Sequence, residues 1–325
     1  MLRPFRWEEE STLHYFLSDH PNIVTLHENI ELGDYAASLL DYCSGGSLHD
    51  MIYDYLAYAG DSARIKSIFL QIVDAVEHCH TNYIYHRDLK PLNVLCNEDG
   101  SQIFLTDFGL ATRLESSQEH TIGTAAYMSP GTLKCYREKD SPQSKSPYSP
   151  EANDVWSLGV LFLDLACADR IWEAPTSTDG RYREFNEDSS AFLRSHYPLN
   201  NRTRALLLRI FSPQPYRISL KALREEIASI DDFYLPDCEI ASAAIQVQKN
   251  AMRYGPWTKL AEKLNILHRH GDRDVFTDSG VDPSVGELVD INLTTQEDEL
   301  LPFRPKGMKD GQFTPCIVDL DPFTI

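Results

Sequence analysis

The 325-residue sequence predicts an α+β fold in which helices outweigh strands. Two observations lead to this expectation. Apolar residues recur at helical spacing over two long stretches, residues 62–80 and 155–166, whereas the strand-like runs are short and occur as two separate pairs. The length suits one large domain or two smaller ones.

The strand-like runs come first in the chain. Residues 23–26 and 37–40 are rich in β-branched and apolar side chains and are joined across a Gly-Asp turn. Residues 94–96 and 103–105 flank a polar Asn-Glu-Asp-Gly segment, which predicts a hairpin.

The helical stretches are set by periodicity and by caps. Asp61 precedes the amphipathic stretch 62–80, as expected for a helix start. Residues 155–166 are apolar on nearly every side, so this helix is expected to lie at the centre of a helical domain. Two further helices fit residues 204–211 and 220–230.

Two segments differ in composition from the rest of the chain. Residues 134–153 are rich in Lys, Ser and Pro, hold three Ser-Pro pairs, and predict a long exposed loop. Residues 271–325 contain 12 acidic and 4 basic residues without a sustained period, which is typical of a disordered acidic tail.

The charge balance excludes several partners. With 30 Lys and Arg against 49 Asp and Glu, the net charge is −19, which argues against nucleic acid and against an anionic membrane surface. No apolar run is long enough to span a bilayer, and the first ten residues carry no apolar signal core. Seven scattered cysteines, none in a Cys-x-x-Cys pair, indicate reduced thiols in the cytoplasm or nucleus.

Three short motifs bear the chemistry. His-Arg-Asp-Leu at 86–89 is followed by Asn93, Asp-Phe-Gly follows the hairpin at 107–109, and Asp-Val-Trp-Ser-Leu-Gly at 154–159 opens the apolar helix. This ordered set resembles the catalytic core of the eukaryotic Ser/Thr protein kinases. The resemblance implies a mainly helical C-lobe and, in this chain, an incomplete N-lobe with one helix and about two strands.

The resemblance also implies roles for individual residues. Asp88 would accept the proton of the substrate hydroxyl, and Lys90 would contact the transferring phosphate, as in Ser/Thr rather than Tyr kinases. Asn93 and Asp107 would hold Mg²⁺, which prefers oxygen ligands. Thr124, in a segment similar to the loop that receives the substrate peptide, would bond to Asp88 and Lys90.

Other residues of the motifs have structural or regulatory parts in the family. His86, Phe108 and Gly109 complete the two loop motifs, and Asp154 would bind the backbone around His86 and Arg87. Arg87 implies a phosphate pocket for the 108–130 loop, with an upstream kinase as a partner and Thr121 among the acceptors.

The family resemblance extends to an ATP site, but with a deficit. No Gly-x-Gly-x-x-Gly occurs in the sequence and the first lysine is Lys66, so the glycine-rich loop and the third-strand lysine of kinases have no counterpart. We therefore expect weak or no Mg-ATP binding and little activity. The residues assigned to the nucleotide are Leu40, Asp41, Cys43, Ser47, Leu95, Asp107 and the helix residue Glu10.

Two positions depart from the kinase pattern. Leu92 stands where Glu is common, and Gly131 replaces the Glu that normally pairs with an arginine near the end of the domain, here Arg217. Since that ion pair cannot form, the anchoring of residues 130–153 is expected to be weakened.

The resemblance divides the chain into a partial N-lobe (1–43), a C-lobe (44–235), a helical extension (236–270) and the acidic tail (271–325). The chain resembles small fungal kinases of meiosis and nutrient signalling, which implies protein Ser/Thr hydroxyls as substrates. Three explanations of the N-terminal deficit stay open: an incomplete gene model or fragment, which we favour, a chain completed by a partner, or a pseudokinase that acts as a scaffold.

Overall fold

A computed structural model describes residues 6–32, 35–119, 122–137 and 147–252. Thr121, the Ser-Pro pair at 141–142 and the predicted tail lie outside these ranges. The helices are α1 (Arg6–Leu17), α2 (Leu48–Tyr53), α3 (Ser62–Thr81), α4 (Pro130–Arg137), α5 (Pro150–Cys167), α6 (Gly180–Glu187), α7 (Ser189–His196), α8 (Asn201–Ile210), α9 (Leu220–Ala228), α10 (Asp237–Ala241) and α11 (Ile245–Ala251). The strands are β1 (Leu26–Leu32), β2 (Tyr35–Leu40), β3 (Val94–Cys96) and β4 (Ile103–Leu105).

The strands form two antiparallel pairs, β1 with β2 and β3 with β4. The predicted hairpin is confirmed with its bounds, and Val94 pairs with Leu105. The predicted bounds of the first strand are wrong, because β1 begins at Leu26. The segment before it lies alongside β4 instead, where the Val24 N–H donates to Leu105 O (3.0 Å) and the Leu105 N–H donates to Asn22 O (2.8 Å).

The long helices are confirmed, and α5 corrects the predicted loop. Ser149 caps this helix by accepting a hydrogen bond from the Ala152 N–H (3.2 Å), and Pro150 occupies its first turn, so the Ser-Pro pair at 149–150 starts a helix and is not in an exposed loop. At the other end of the predicted loop, α4 covers residues up to Arg137.

Some helices gave no periodic signal. In α6 only Phe185 is buried, and the helix is set by Asp179, whose carboxylate accepts from the Tyr182 N–H (2.9 Å). Helix α7 follows directly behind Asp188, which caps it in the same way. These short helices depend on caps and on packing at one end, which periodicity does not detect.

Helix α5 is the centre of the molecule, and nearly all of its residues are buried. Phe162 packs edge-on against Phe69 of α3 (5.2 Å between ring centroids) and against Phe233 (5.1 Å). Gly159 lets α8 approach closely, since an added Cβ would lie 2.5 Å from Ile210 Cγ2. In the described part of the chain, no helix combines the length and apolar character needed to cross a membrane.

Candidate active site

The start of α5 holds the loop between α3 and β3 in place. Asp154 is fully buried and accepts hydrogen bonds from the backbone N–H groups of His86 (2.9 Å) and Arg87 (2.8 Å), and from His80 Nε2 (2.9 Å). Arg87 has a φ of +69°, a backbone conformation that costs energy in a non-glycine residue. The Asp154 carboxylate therefore stabilises a strained turn, in the contact that the sequence predicts.

Three of the predicted site residues donate hydrogen bonds to the carboxylate of a fourth, Asp88. Asp88, with 5% of its surface exposed, accepts from Lys90 Nζ at Oδ2 (2.8 Å) and from the Thr124 N–H at Oδ1 (2.8 Å). Asn93 Nδ2 donates to the same Oδ2 (3.1 Å) and to the Asp88 carbonyl (2.9 Å). The carboxylate is thus held in one orientation by donors from both sides of the loop.

Burial raises the pKa of Asp88, but the hydrogen bond and charge of Lys90, the hydrogen bond from Thr124 and the charge of His86 outweigh it, so the pKa lies below its usual value. Lys90 Nζ also donates to Thr124 Oγ1 (3.0 Å). The site therefore holds an ionised carboxylate beside an ammonium group, both ordered by Thr124.

The Asp-Phe-Gly segment lies next to this loop. Phe108 is buried, with its ring 5.1 Å from the ring of His86 and 5.0 Å from that of His14. His86 Nε2 donates to Thr106 O (3.0 Å). Asp107 is exposed and has a φ of +63°, which turns the backbone sharply before the phenylalanine.

Helix α1 reaches the site through two side chains. His14 Nε2 donates to Val24 O (2.7 Å), and burial lowers the pKa of this histidine, so it is neutral. Sequence reasoning missed His14, since a single histidine in a helix carries no signal of its own. Glu10 was predicted, and a Cβ built on Gly109 would lie 3.1 Å from Glu10 Oε2 and 3.3 Å from Asp107 Oδ1.

The predicted nucleotide residues lie along the segment after β2 and on β3. The Asp41 N–H donates to Thr25 O (3.0 Å), and its carboxylate accepts from His27 Nε2 (2.7 Å). Leu95 is half-buried between two buried neighbours on β3, so it lies on the open face of the hairpin. Leu40 ends β2 and is likewise half-buried.

The environment of two of these residues, Cys43 and Ser47, limits what each side chain does. Burial raises the pKa of the Cys43 thiol to about 11, which keeps it protonated at neutral pH. Ser47 is the N-cap of α2: its hydroxyl donates to Asp50 Oδ2 (2.7 Å), and its Oγ accepts from the Asp50 N–H (3.3 Å). The structure thus uses Ser47 as half of a capping box.

The predicted phosphate pocket at Arg87 contains a carboxylate. The Arg87 guanidinium donates to Leu110 O through Nε and to Glu119 Oε2 through NH1 (2.8 Å). The arginine side chain is 4% exposed and that of Glu119 is 49% exposed. Sequence reasoning named Thr121 for this loop and missed Glu119, because no motif distinguishes a loop glutamate that contacts this arginine.

A second buried carboxylate anchors the end of the 108–130 loop. Asp164 of α5 accepts from the hydroxyls of Tyr53 (2.8 Å) and Tyr127 (2.6 Å). Burial raises its pKa to about 7. Trp172 Nε1 donates to Ala126 O (3.0 Å), which holds the same segment from its other side. Sequence reasoning missed this Asp, which is hidden within the apolar helix.

Residues 129–132 are attached to α5 despite the glycine at 131. Asn153 Oδ1 accepts from the Ser129 N–H (2.9 Å) and from Thr132 Oγ1 (2.9 Å). The expectation of weak anchoring is therefore wrong for residues 129–132, because an asparagine supplies the contacts.

Arg217 binds backbone instead of a carboxylate. Its guanidinium donates to Ala152 O (2.7 Å) and Ser212 O (3.2 Å), and Cζ lies 5.1 Å from the centre of the Trp156 ring.

The geometry agrees with comparisons to known proteins. A family model described as "Protein kinase domain" matches residues 6–226, about two thirds of the chain. The chain belongs to the protein kinase family. This result confirms the resemblance derived from the three motifs and the kinase-like α+β fold with a reduced N-lobe.

Yeast relatives sharpen the assignment to Ser/Thr kinases. The chain is 40% identical over 228 residues to "Negative regulator of sexual conjugation and meiosis" of Schizosaccharomyces pombe, covering 66% of this chain and 48% of the relative. It is 33% identical to "Serine/threonine-protein kinase ksp1" of the same yeast (69% and 47% covered) and 32% identical to "Serine/threonine-protein kinase VHS1" of Saccharomyces cerevisiae (69% and 50%). The chain spans about half the length of these relatives.

Proposed function

We propose that this protein transfers the γ-phosphate of ATP to Ser and Thr hydroxyls of protein substrates, and that Asp88 is the residue on which the transfer depends. The observation that supports this proposal is the single buried carboxylate that receives Lys90 Nζ, Asn93 Nδ2 and the Thr124 N–H. Phosphoryl transfer needs positioning and charge neutralisation more than covalent chemistry, and this cluster supplies both.

The ionised Asp88 orients the substrate hydroxyl and receives its proton. Its lowered pKa favours proton transfer late in the reaction, when the new O–P bond has made the hydroxyl acidic. Lys90 Nζ, which lies between Asp88 Oδ2 and Thr124 Oγ1, brings a positive charge to the place where negative charge develops on the phosphate.

Two side chains suit Mg²⁺. Both hydrogen bonds that Asn93 makes to Asp88 use its Nδ2, so the amide oxygen remains available as a ligand, and Asp107 offers an exposed carboxylate. Both are hard oxygen donors of the kind that this cation takes. Magnesium bound there would neutralise the charge on the phosphates.

The backbone of Asp41 and Cys43 would meet the adenine edge, with Leu40 and Leu95 as apolar contacts. Because the sequence holds no glycine-rich phosphate loop, we expect a weak site and an assay at millimolar Mg-ATP.

The contact of Glu119 with Arg87 bears on how the loop is regulated. A carboxylate already binds the arginine that was expected to receive a phosphate, which supports a loop ordered without an upstream kinase. The reduced thiols of Cys43, Cys79 and Cys96 fit a cytoplasmic or nuclear protein.

The experiment is transfer of radiolabelled phosphate from Mg-ATP to a mixture of basic proteins, followed by phosphoamino acid analysis. We expect phosphoserine and phosphothreonine, and we expect Asp107→Ala to lose both transfer and the thermal shift caused by Mg-ATP. The exposed Asp231→Asn is the matched control and should retain both. Equal label with the wild type and Asp107→Ala would refute the proposal.

A further inference from the structure

A cavity of about 870 Å³ lies beside the start of α5, between the start of α4, helix α6 and the loop that follows α8. Its lining includes Gly131, Tyr148, Trp156, Phe185 and Arg217, and none of the residues around Asp88. Its volume is in the range of small-ligand sites, and its walls combine aromatic rings with one cation.

The cation is a guanidinium with unused donors. Arg217 offers five N–H groups, and its described hydrogen bonds go to two backbone carbonyls, Ala152 O and Ser212 O. No ion pair between Arg217 and a described Asp or Glu offsets its charge, and burial lowers its pKa to about 10. A charged group that is desolvated in this way favours an anionic partner.

Two neutral donors in the same wall also lack partners. The hydroxyl of Tyr148 and Nε1 of Trp156 are buried, and neither makes a hydrogen bond within the described part of the protein. Both residues line the cavity, and Trp156 is 2% exposed. Buried polar groups are nearly always bonded, so two unbonded donors beside an unpaired guanidinium indicate a missing acceptor.

Space for that acceptor exists next to Gly131. Among the described residues, the nearest atom to a Cβ built on this glycine would be Ser129 Oγ, at 4.0 Å, so they leave room for a side chain to enter the cavity from here.

We propose that the cavity binds a Glu or Asp side chain of a partner protein, whose carboxylate pairs with Arg217. One guanidinium with neutral hydroxyl and indole donors matches a singly charged carboxylate better than a doubly charged phosphate. The aromatic walls, Trp156, Phe185 and Phe211, accommodate an apolar residue beside the acid.

The first test is a titration of the whole chain with acetyl-Phe-Glu-amide, followed by the ¹⁵N-indole resonances of its four tryptophans. Trp156→Phe assigns the resonance of interest. We expect a saturable shift of the Trp156 resonance, and at least about tenfold weaker binding of acetyl-Phe-Gln-amide, which loses the charge-assisted hydrogen bonds. Equal affinity for the two peptides, or no saturable shift with either, would overturn the proposal.

Two variants at Gly131 make the second test. Gly131→Glu supplies the carboxylate from within the chain and should weaken binding of the Glu peptide at least about tenfold, with a thermal midpoint equal to or above that of the wild type. Gly131→Ala adds a methyl group without charge and should bind as the wild type does. Unchanged peptide binding in a folded Gly131→Glu would show that the carboxylate does not bind at Arg217.

Discussion

Asp154 connects the central helix to the catalytic loop, and its replacement by asparagine should be costly. The carboxylate accepts three hydrogen bonds, from the N–H groups of His86 and Arg87 and from His80, and Asp154, His86 and Arg87 are all buried. The two backbone donors are fixed in place. An asparagine has a single oxygen for them, so its amide NH₂ must face at least one N–H group.

The magnitude follows from this count. Each buried donor left without an acceptor costs about 1–3 kcal/mol, and loss of a charged acceptor is at the upper end. One bond is lost if the amide oxygen takes the position of Oδ2, which accepts from His86 and His80, and two are lost if it takes the position of Oδ1. We therefore expect Asp154→Asn to lower the free energy of unfolding by about 2–5 kcal/mol. The positive φ of Arg87 adds to the cost, because the carboxylate compensates for that strain.

The assay is urea unfolding followed by circular dichroism, with Asp231→Asn as the matched control. The side chain of Asp231 is fully exposed and lies 3.4 Å from Lys66 Nζ, so its loss should change stability by at most about 0.5 kcal/mol. A loss below about 1 kcal/mol for Asp154→Asn would refute the reasoning, since the buried bonds would then contribute no more than a surface ion pair.

Two further predictions concern carboxylates that the sequence did not single out. Glu119→Gln should weaken the contact with Arg87, lower stability by about 1 kcal/mol and speed amide hydrogen exchange over residues 110–119, measured by mass spectrometry. Because the folded pKa of Asp164 is raised from 3.8 to about 7, its contribution is present below about pH 4 and is lost as pH rises toward 7. Between about pH 5 and about pH 8, the wild type should therefore lose about 2–3 kcal/mol more stability than Asp164→Asn, measured by urea unfolding.

A specific outcome would contradict each of these two predictions. Exchange over residues 110–119 that is the same in Glu119→Gln and the wild type would show that the ion pair does not order the loop. Parallel stability profiles for the wild type and Asp164→Asn would show that this aspartate does not titrate in the folded protein across that range.

The catalytic loop and its hairpin could be predicted because the residues that define them lie close together in the sequence. Asp88, Asn93 and Asp107 lie within 20 residues of one another, and their spacing is fixed by a turn and two short strands. The contact of Asp154 with the loop spans a much larger separation, and it was predictable only through the family resemblance.

What could not be predicted depends on tertiary packing. The start of β1 was misplaced because residues 22–24 pair with β4, some 80 residues later. Helix α6 has one buried residue and thus no apolar stripe. Asp164 is surrounded by apolar sequence, and only the fold brings the hydroxyls of Tyr53 and Tyr127 to it.

The central claim is that Asp88 serves the chemistry of phosphoryl transfer rather than the fold or nucleotide binding. The most direct measurement compares the wild type with Asp88→Asn for phosphate transfer and for the thermal shift in millimolar Mg-ATP. We expect transfer to fall at least about a hundredfold while the shift persists. Transfer by Asp88→Asn at the wild-type rate would contradict the assignment of Asp88.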